Sequence, residues 1–369
     1  MLTPWPENVP YPTPDDIVFP KGITHGIVHD CERDPQYKFL HETAVGQCNG
    51  SIFVAWYNNY KAELSGKTLQ RGRWSKDHGQ TWSDPEIVMD EGNDKGRKFV
   101  GIQFLNQNGD FYAFSNEEVE GGFEKLVHML LLVFDQKNKQ WKTIAPIAPR
   151  FLAMQQPILM GDGNYIIVGS YNPFPGGSNG VIPAVYVSQG KEIAKPWERF
   201  LIDTEYVNVF AETAIVVNGP NILAVTRVEK SPQPYFYVSS DYGRTWKRIA
   251  NRSFYASASK FAAGTLTNGV RYILYNLPDF KRDTQGNVIE STLKRGRKTL
   301  VMATSQPGEK YFSRIWKISD PSTSTAQLAS HYPCALEFDG KLYITYTGQH
   351  RLRNCGISIV PVSSFINHN

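Results

Sequence analysis

Six short turns of Asn-Gly or Asp-Gly recur along the chain, and each separates two runs of β-prone residues. The second residues of these turns are Gly50, Gly109, Gly163, Gly219, Gly269 and Gly340, so the steps between them are 59, 54, 56, 50 and 71 residues. Asn or Asp followed by Gly adopts, at the least cost, the positive φ angles that a tight β-hairpin requires. A hairpin that returns at this spacing indicates a repeat protein in which each unit is a small antiparallel sheet.

The strands that flank these turns are apolar at successive positions, as in Ile52-Phe53-Val54-Ala55-Trp56-Tyr57. Strands without strict alternation are typical of sheets that are buried on both faces, and radially stacked blades bury both faces. The chain has 369 residues, 41% of them hydrophobic, and shows no long helical period. We therefore predict an all-β fold, a six-bladed β-propeller with four-stranded antiparallel blades.

The same reading predicts the domain organisation. We expect residues 1–30 to form a Pro-rich strap on the surface and residues 31–369 to form a single propeller. The apolar segment Gly26-Ile27-Val28 of the strap is expected to close the ring by pairing with the last blade, near residues 357–360. The predicted blades are residues 38–92, 97–146, 152–204, 209–252, 257–320 and 330–365.

A second repeat runs in step with the first, because residues 75–82 and 239–246 both match the pattern S-x-D-x-G-x-T-W. In this pattern the Asp side chain accepts hydrogen bonds from its own turn, the Gly supplies a positive φ, and the Trp packs beneath the hairpin. The pattern resembles the Asp-box of the sialidase superfamily, whose members are six-bladed propellers with BNR repeats. We expect Asp77, Trp82, Asp241 and Trp246 to be structural residues.

Charge and composition exclude several classes of partner. The chain has 39 basic and 35 acidic residues, a net charge of +4, and no basic block interleaved with aromatic residues, so nucleic acid is not an expected ligand. No stretch reaches the length of about 18 apolar residues that a membrane span needs, and the N-terminus lacks the features of a signal peptide. We expect a soluble protein and leave its compartment open.

The sequence also argues against a metal or a cofactor. The four cysteines, at positions 31, 48, 334 and 355, have no close metal-binding spacing, and buried thiols are the preferred interpretation over disulfides. One histidine at the rim of a funnel cannot make a metal site by itself. We therefore expect no metal and no cofactor.

The strand order of a blade predicts which residues share a face of the ring. If Asn/Asp-Gly turns join the first strand to the second, and Asp-boxes join the third to the fourth, both lie on one face, here called the turn face. The starts of the first and third strands and the ends of the second strands then lie on the opposite face, the funnel face, where ligands bind. The polar residues selected by this rule are His41, Glu42, Lys61, Glu63, Arg97, Arg150, Gln155, Gln156, Glu212, Arg227, Arg297 and Tyr332.

Four of these positions resemble the active site of sialidases. In that family a Glu opens the fourth blade and an Arg follows it, as Glu212 and Arg227 do here, a further Arg belongs to the outer half of the fifth blade, and a Tyr begins the last blade. The resemblance implies that Tyr332 is the nucleophile, that Glu212 is the base that activates it, and that Arg227 and Arg297 bind a substrate carboxylate. A neutral Tyr attacks an anionic sugar without the repulsion that a carboxylate nucleophile would meet, and guanidinium groups suit a carboxylate.

The first blade departs from the family pattern. Sialidases open this blade with Arg-Ile-Pro and place an Asp acid/base in a following loop, whereas this chain has His41-Glu42-Thr43 and no Asp in residues 58–68. The missing functions are proton transfer to the leaving group and one contact to the substrate carboxylate. The candidates are His41 and Glu63 for proton transfer, Arg97 and Arg150 for the carboxylate contact, and Gln156 and Glu42 as further substrate-binding residues.

Three functions are compatible with these residues. The first is an exo-acting, retaining glycoside hydrolase for an acidic sugar, in which Tyr332 and Glu212 form the nucleophilic pair. The second is a polysaccharide lyase for uronic-acid glycans, with His41 and Tyr332 as base and acid and an arginine that neutralises the carboxylate. The third is a glycan-binding propeller without catalysis. In each case the expected partner is a carbohydrate, and for the first two it is anionic.

Overall fold

The computed structural model describes residues 2–92, 96–119, 126–173, 180–204, 210–289, 292–323, 325, 327–349 and 351–366. In these residues the chain forms six antiparallel sheets arranged as the blades of a β-propeller, and the strands pair in the order of the sequence except where the N-terminal strand joins the last blade. The predicted fold class is confirmed. No helix within the described ranges has the length and apolarity that crossing a membrane requires.

The first two blades follow an N-terminal strand and are built in chain order. Their strands, with the N-terminal strand first, are β1 (Thr24–Asp30), β2 (Phe39–Cys48), β3 (Ser51–Asn59), β4 (Leu69–Ser75), β5 (Glu86–Met89), β6 (Arg97–Gln107), β7 (Asp110–Val119), β8 (Leu126–Asp135) and β9 (Gln140–Pro149). In the third blade the innermost strand is divided into two parts that pair with the same neighbour. Its strands are β10 (Phe151–Ala153), β11 (Ile158–Leu159), β12 (Tyr165–Tyr171), β13 (Ile182–Val187) and β14 (Glu198–Leu201).

The last three blades repeat the same antiparallel order. The fourth and fifth contain β15 (Thr213–Asn218), β16 (Asn221–Thr226), β17 (Tyr235–Ser239), β18 (Lys247–Ile249), β19 (Ala262–Thr265), β20 (Arg271–Asp279), β21 (Lys294–Ser305) and β22 (Arg314–Ser319). The sixth contains β23 (Ala329–Phe338), β24 (Lys341–Gln349) and β25 (Arg353–Pro361). Short 3₁₀ helices lie at Pro14–Asp16 and Val362–Phe365.

Strand β1 supplies the outermost strand of the sixth blade. It pairs antiparallel with β25, with Gly26 opposite Ile357 and Ile27 opposite Gly356. This blade therefore combines strands from both ends of the chain. Backbone hydrogen bonds connect the segment that precedes the first blade to the last blade. The pairing also covers an edge of β25 that would otherwise be exposed.

The Asn/Asp-Gly turns join the first and second strands of the blades, but they are of two kinds. In three of them, Asn49-Gly50, Asn108-Gly109 and Asp339-Gly340, both residues have positive φ, between 48° and 88°. In the other three only the glycine has positive φ, so the expectation of two such residues in every turn was wrong. In the fourth blade the paired residues are Asn218 and Asn221, and the turn between them ends in a proline, whose ring fixes φ.

Both Asp-boxes lie between the third and fourth strands of their blades. Oδ1 of Asp77 accepts hydrogen bonds from the backbone N–H groups three and four residues ahead, at 3.1 and 2.9 Å, and Oδ1 of Asp241 does the same at 3.1 and 2.9 Å. Gly79 and Gly243 have φ of 90° and 82°. These side chains satisfy the backbone of their own turns, and they lie on the turn face, away from the funnel.

Two glutamines of the third blade connect the inner strands around the ring axis. The Gln155 amide donates to the backbone oxygens of Ile215 and Ala263 at 3.0 and 2.9 Å, and its Oε1 accepts from the Ile215 N–H at 2.8 Å. Gln156 donates to the backbone oxygen of Ala335 in β23. These bonds connect the third blade to the fourth, fifth and sixth blades.

Candidate active site

Glu212 and Arg227 face each other at the funnel end of the fourth blade. The Arg227 N–H donates to the Glu212 carbonyl at 2.9 Å, which extends the β15–β16 pairing beyond the strands. Nη1 of Arg227 donates to Oε2 of Glu212 at 2.7 Å, and both residues are buried. Because each charge neutralises the other in a dry environment, removing one partner would leave the other buried and unpaired.

Tyr332 of the sixth blade completes this cluster. Its hydroxyl donates a hydrogen bond to Oε1 of Glu212 and accepts one from Nη1 of Arg227 at 2.8 Å. Burial and the negative charge of Glu212 raise the pKa of Tyr332 well above its usual value of 10, while Arg227 and Arg297 act in the opposite direction. The phenol is therefore neutral at pH 7 and is aligned to transfer its proton to Glu212.

A β-bulge in β23 directs Tyr332 toward the funnel. One extra residue follows His331, so that Tyr332 and Pro333 together lie opposite Tyr346 of β24. Tyr332 has a φ of 56°, in the left-handed region that residues other than glycine rarely adopt. A bulge of this kind turns a side chain out of the ordinary alternation of a strand, and its strain at this position is typical of functional sites.

Glu42 lies in the corresponding bulge of β2 and is also buried, with 4% of its surface exposed. Its carboxylate lies against Gly101 of β6, where a Cβ atom would overlap Oε2. Burial raises the pKa of Glu42 to about 7; Lys260 opposes the rise, and Glu212 adds to it. Glu42 is therefore a carboxyl group that carries its proton up to nearly neutral pH.

Glu118 of β7 is a second buried carboxyl group near Glu42. It is completely buried, and neither carboxylate oxygen has a hydrogen-bond partner. Burial and the charge of Glu42 raise its pKa to about 8. An unpaired carboxylate would be very costly here, so Glu118 is expected to be protonated at pH 7.

Two histidines pack against Tyr332. The His41 ring centroid lies 4.1 Å from that of Tyr332 and 5.3 Å from that of His331. Nδ1 of His41 is 2.9 Å from Oγ1 of Thr347 in the sixth blade. Burial lowers the pKa of both histidines well below 6.5, and the nearby Arg353 and Arg297 lower it further. Both imidazoles are therefore neutral at pH 7.

Arg297 and Arg353 each lie over an aromatic ring near these histidines. Cζ of Arg297 is 5.3 Å from the Tyr332 ring centre, and its Nη2 donates to the Ala258 carbonyl at 2.9 Å. Cζ of Arg353 is 4.3 Å from the ring centre of Phe39, which in turn packs edge-on against His41. The funnel floor thus combines a Tyr-Glu pair with several positive charges.

The other predicted site residues make contacts elsewhere. Glu63 accepts a hydrogen bond from the Tyr57 hydroxyl at 2.9 Å, and the Tyr57 ring packs edge-on against His41. Arg97 forms an ion pair with Glu117 in its own blade.

Arg150 and Gln156 are likewise bonded away from the Tyr-Glu pair. Arg150 donates to the Tyr171 hydroxyl at 3.0 Å and to the Pro173 carbonyl at 3.1 Å, and Gln156 bonds to the Ala335 carbonyl. The structure therefore brings together Glu212, Arg227, Tyr332, Arg297 and His41, with Glu42 and Glu63 next to them.

Three residues of the funnel floor were not among the sequence candidates: Glu118, His331 and Arg353. Arg353 opens the third strand of the sixth blade, and the strand rule that selected Arg297 in the fifth blade would also have selected it. His331 immediately precedes Tyr332, whereas nothing in the sequence pattern distinguishes Glu118. Within the described ranges, no group of three His, Cys, Asp or Glu side chains is placed to hold a metal ion.

The fold is a six-bladed β-propeller that carries Asp-box turns. Residues 50–344 match the family described as the BNR repeat-like domain. The match covers most of the chain, and the protein therefore belongs to the BNR repeat-like family. The chain matches none of the curated protein sequences with which it was compared.

Sialidases are similar to this chain in structure. The Trypanosoma rangeli sialidase has a TM-score of 0.68 and 13% identity, over 93% of this chain and 60% of the trypanosomal one. A Hadza microbial sialidase gives 0.69 and 14%, over 93% and 69%, and a mutant of the NanB sialidase of Streptococcus pneumoniae gives 0.65 and 10%, over 92% and 71%. The chain thus spans about 60% of the length of the trypanosomal enzyme, which has been solved with sialic acid. At these identities the likeness concerns the fold.

Proposed function

We propose that the protein is an exo-acting, retaining glycoside hydrolase whose substrate is a sugar that bears a carboxylate. The observation that supports this most strongly is the buried hydrogen bond from the Tyr332 hydroxyl to Glu212. A nucleophile in direct contact with a base, with the base oriented by a third group, is what nucleophilic catalysis requires, and Arg227 is that third group.

In the first step, Glu212 accepts the phenolic proton while Oη of Tyr332 attacks the anomeric carbon. The bond from this carbon to the leaving oxygen breaks, and a tyrosyl glycoside forms. Arg227 donates to the same Oη from 2.8 Å and stabilises the negative charge that develops on it during proton transfer. In the second step water attacks the anomeric carbon, Tyr332 departs and regains its proton from Glu212, and two inversions give net retention.

Glu42 supplies the proton to the leaving oxygen in this proposal, and its carboxylate later accepts a proton from the attacking water. Its pKa of about 7 keeps it protonated at slightly acidic pH, as a general acid must be. His41 is less suited, because its lowered pKa leaves no proton to donate at neutral pH. Glu63 is also less suited, because its carboxylate already accepts a hydrogen bond from the Tyr57 hydroxyl.

The depth of the site supports cleavage at the end of a glycan. Glu212 and Tyr332 are 3% and 7% exposed, so the proposed reacting groups are almost fully buried. A terminal sugar reaches a buried nucleophile more readily than the middle of a glycan chain does.

A panel of acidic aryl glycosides tests this proposal, with 4-methylumbelliferyl sialic acid first and the corresponding uronides next. We expect the wild-type protein to release the fluorophore from at least one of them and Tyr332→Phe to lose about 10²–10⁴-fold in rate. Tyr60→Phe is the matched control, because Tyr60 is 37% exposed. If the protein binds glycans but cleaves none of the acidic glycosides, it is instead a glycan-binding propeller without catalysis.

One observation favours a lyase as a second candidate. The neutral His41 ring lies 4.1 Å from Tyr332, so a base and an acid are adjacent in the same pocket, with Arg297 near enough to neutralise a uronate carboxylate. In that case His41 would abstract a proton from the carbon next to the carboxylate and Tyr332 would protonate the leaving oxygen. A rise in ultraviolet absorbance from an unsaturated uronate would identify this reaction.

A further inference from the structure

A cavity of about 430 Å³ lies on the turn face, between the first and second blades. The β2–β3 hairpin and the Asp-box side of the first blade line it, together with the β8–β9 turn of the second blade. Its volume is within the range of about 300–1,000 Å³ that small-ligand sites have. Strand order places this cavity on the face opposite Tyr332, and the lining residues include none of the candidate active-site residues.

Two aromatic rings contribute to the apolar part of this cavity. The Trp74 ring is partly exposed, the Phe134 ring is buried, and their centroids are 5.2 Å apart. Trp74 also packs against the core residue Phe53, with ring centroids 4.4 Å apart, so its orientation is fixed by the fold. The negative face of an aromatic ring attracts polarised C–H groups, such as those on the apolar face of a sugar ring.

The Asp-box does not require the tryptophan that precedes it. When residues 75–82 are aligned with residues 239–246, the residue that corresponds to Trp74 is Val238. Both turns nevertheless have the same hydrogen bonds from backbone N–H groups to their Asp side chains, at 3.1 and 2.9 Å. A valine is therefore sufficient for the turn, and Trp74 adds an aromatic surface that the turn does not need.

Hydrogen-bonding groups from both blades lie beside these rings. Nδ2 of Asn49 donates to Oε1 of Gln136 at 2.7 Å, so an amide pair connects the two blades at the cavity. Burial raises the pKa of Glu86, and the nearby indole N–H groups of Trp74 and Trp141 act in the opposite direction. The Glu86 carboxylate is thus an acceptor that lies next to the aromatic surface.

The charges around the cavity balance. Two lysines, Lys76 and Lys139, and two acidic residues, Asp84 and Glu86, are among the lining residues. The cavity therefore has no excess charge that would select an ion, whereas its amide, hydroxyl and carboxylate groups offer both donors and acceptors. A neutral ligand with many hydroxyl groups fits this combination better than an anion or a cation.

We propose that this cavity is a second carbohydrate site, which binds a neutral hexose of a glycan without cleaving it. The C–H face of the sugar packs on Trp74, and its hydroxyl groups donate to Glu86 and bond to the amide pair. Because the cavity lies away from Tyr332, its role is to attach the protein to a glycan. The inference does not depend on the proposed hydrolase.

Saturation-transfer NMR of the full chain at neutral pH tests this, with the methyl glycosides of glucose, galactose, mannose and N-acetylglucosamine as probes. We expect at least one probe to bind, with the strongest transfer to the protons of one ring face. Trp74→Leu should abolish the transfer, and Glu86→Gln should weaken binding about 10-fold, because a hydrogen bond to a charged acceptor is lost. Glu198→Gln is the matched control, since Glu198 is exposed and also begins the outermost strand of its blade.

The outcomes separate this inference from the hydrolase proposal. Tyr332→Phe should keep the sugar binding, whereas Trp74→Leu and Glu86→Gln should keep the wild-type turnover of aryl glycosides. Failure of all four probes to bind, or binding that neither variant weakens, would overturn the second site and leave the hydrolase untouched. Binding that requires Glu86, without any turnover, would support the second site and contradict the hydrolase. Circular dichroism checks folding, and Glu86→Gln decides if Trp74→Leu does not fold.

Discussion

Glu42 and Tyr332 occupy the same position in adjacent blades. Each follows a histidine, each lies in a β-bulge of the innermost strand, and their φ angles are 50° and 56°. Because neighbouring blades are related by rotation about the ring axis, the same local backbone directs both side chains toward the funnel. One repeated structure thus holds the proposed proton donor and the proposed nucleophile at equivalent positions of neighbouring blades.

Replacing Glu42 by Gln should slow natural substrates more than activated ones. A glycan leaving group needs a proton in the transition state, so we expect its hydrolysis by Glu42→Gln to fall about 10²–10⁴-fold. Release of 4-methylumbelliferone, a much better leaving group, should fall far less. The variant Glu118→Gln leaves the proposed proton donor Glu42 in place, so it is the matched control in the same kinetic assay. Equal losses for both leaving groups would contradict the assignment of Glu42.

The pH dependence of stability provides an independent test of Glu42. Its folded-state pKa of about 7 exceeds the ordinary value of 4.5, so the folded protein binds a proton that the unfolded chain has released. Stability should therefore fall as pH rises from about 4.5 through 7. Glu42→Gln removes this effect and should be more stable than wild type at pH 8, by up to about 3 kcal/mol. Urea unfolding at pH 5 and pH 8 measures the difference.

The Glu42 carboxylate leaves no room for a side chain at position 101, and this contact rather than a backbone angle accounts for the glycine there. A methyl group at this position would overlap Oε2 of Glu42, so Gly101→Ala should displace the carboxyl group and reduce turnover of glycan substrates. Gly161→Ala is a suitable control, because the nearest atom to its added Cβ is 3.5 Å away. Unchanged kinetics in Gly101→Ala would show that the position of Glu42 does not matter.

The Asp-boxes are expected to stabilise the fold without any role in catalysis. Although partial burial acts to raise it, hydrogen bonds from Thr245 and Ser239 lower the pKa of Asp241 to about 2. Its stabilising contribution should therefore be complete above the ordinary value of 3.8 and be lost as pH falls through about 2. Asp241→Asn should lower the melting temperature at pH 7 and leave kcat per folded molecule unchanged. A selective loss of kcat would place Asp241 in the site.

The fold was predictable because each repeat contains turn residues that favour a tight hairpin, and these residues can be recognised in the sequence. Asn49-Gly50 and its counterparts mark hairpins wherever they occur, and two Asp-boxes in step with them fix the strand order of a blade. Glu212, Arg227 and Tyr332 could be placed on one face for the same reason. Strand order decides which end of a strand reaches the funnel, whatever the loops do.

The remainder of the site depends on features that the pattern does not encode. The bulge after His41 adds one residue and reorients Glu42, yet no glycine or proline marks it. Arg150 was placed on the funnel face, but its guanidinium bonds to Tyr171 and the Pro173 carbonyl instead. Side-chain partners of this kind follow from loop geometry, and strand order alone does not predict them.

Covalent trapping tests the central claim most directly. A fluorinated acidic sugar such as 2,3-difluorosialic acid, or the fluorinated analogue of whichever acidic sugar is hydrolysed, should slow the second step and leave the intermediate in place. We predict that the intact mass rises by one glycosyl unit and that peptide mapping places it on Tyr332, with no adduct in Tyr332→Phe. An adduct on another residue, or turnover without any covalent adduct, would contradict the account.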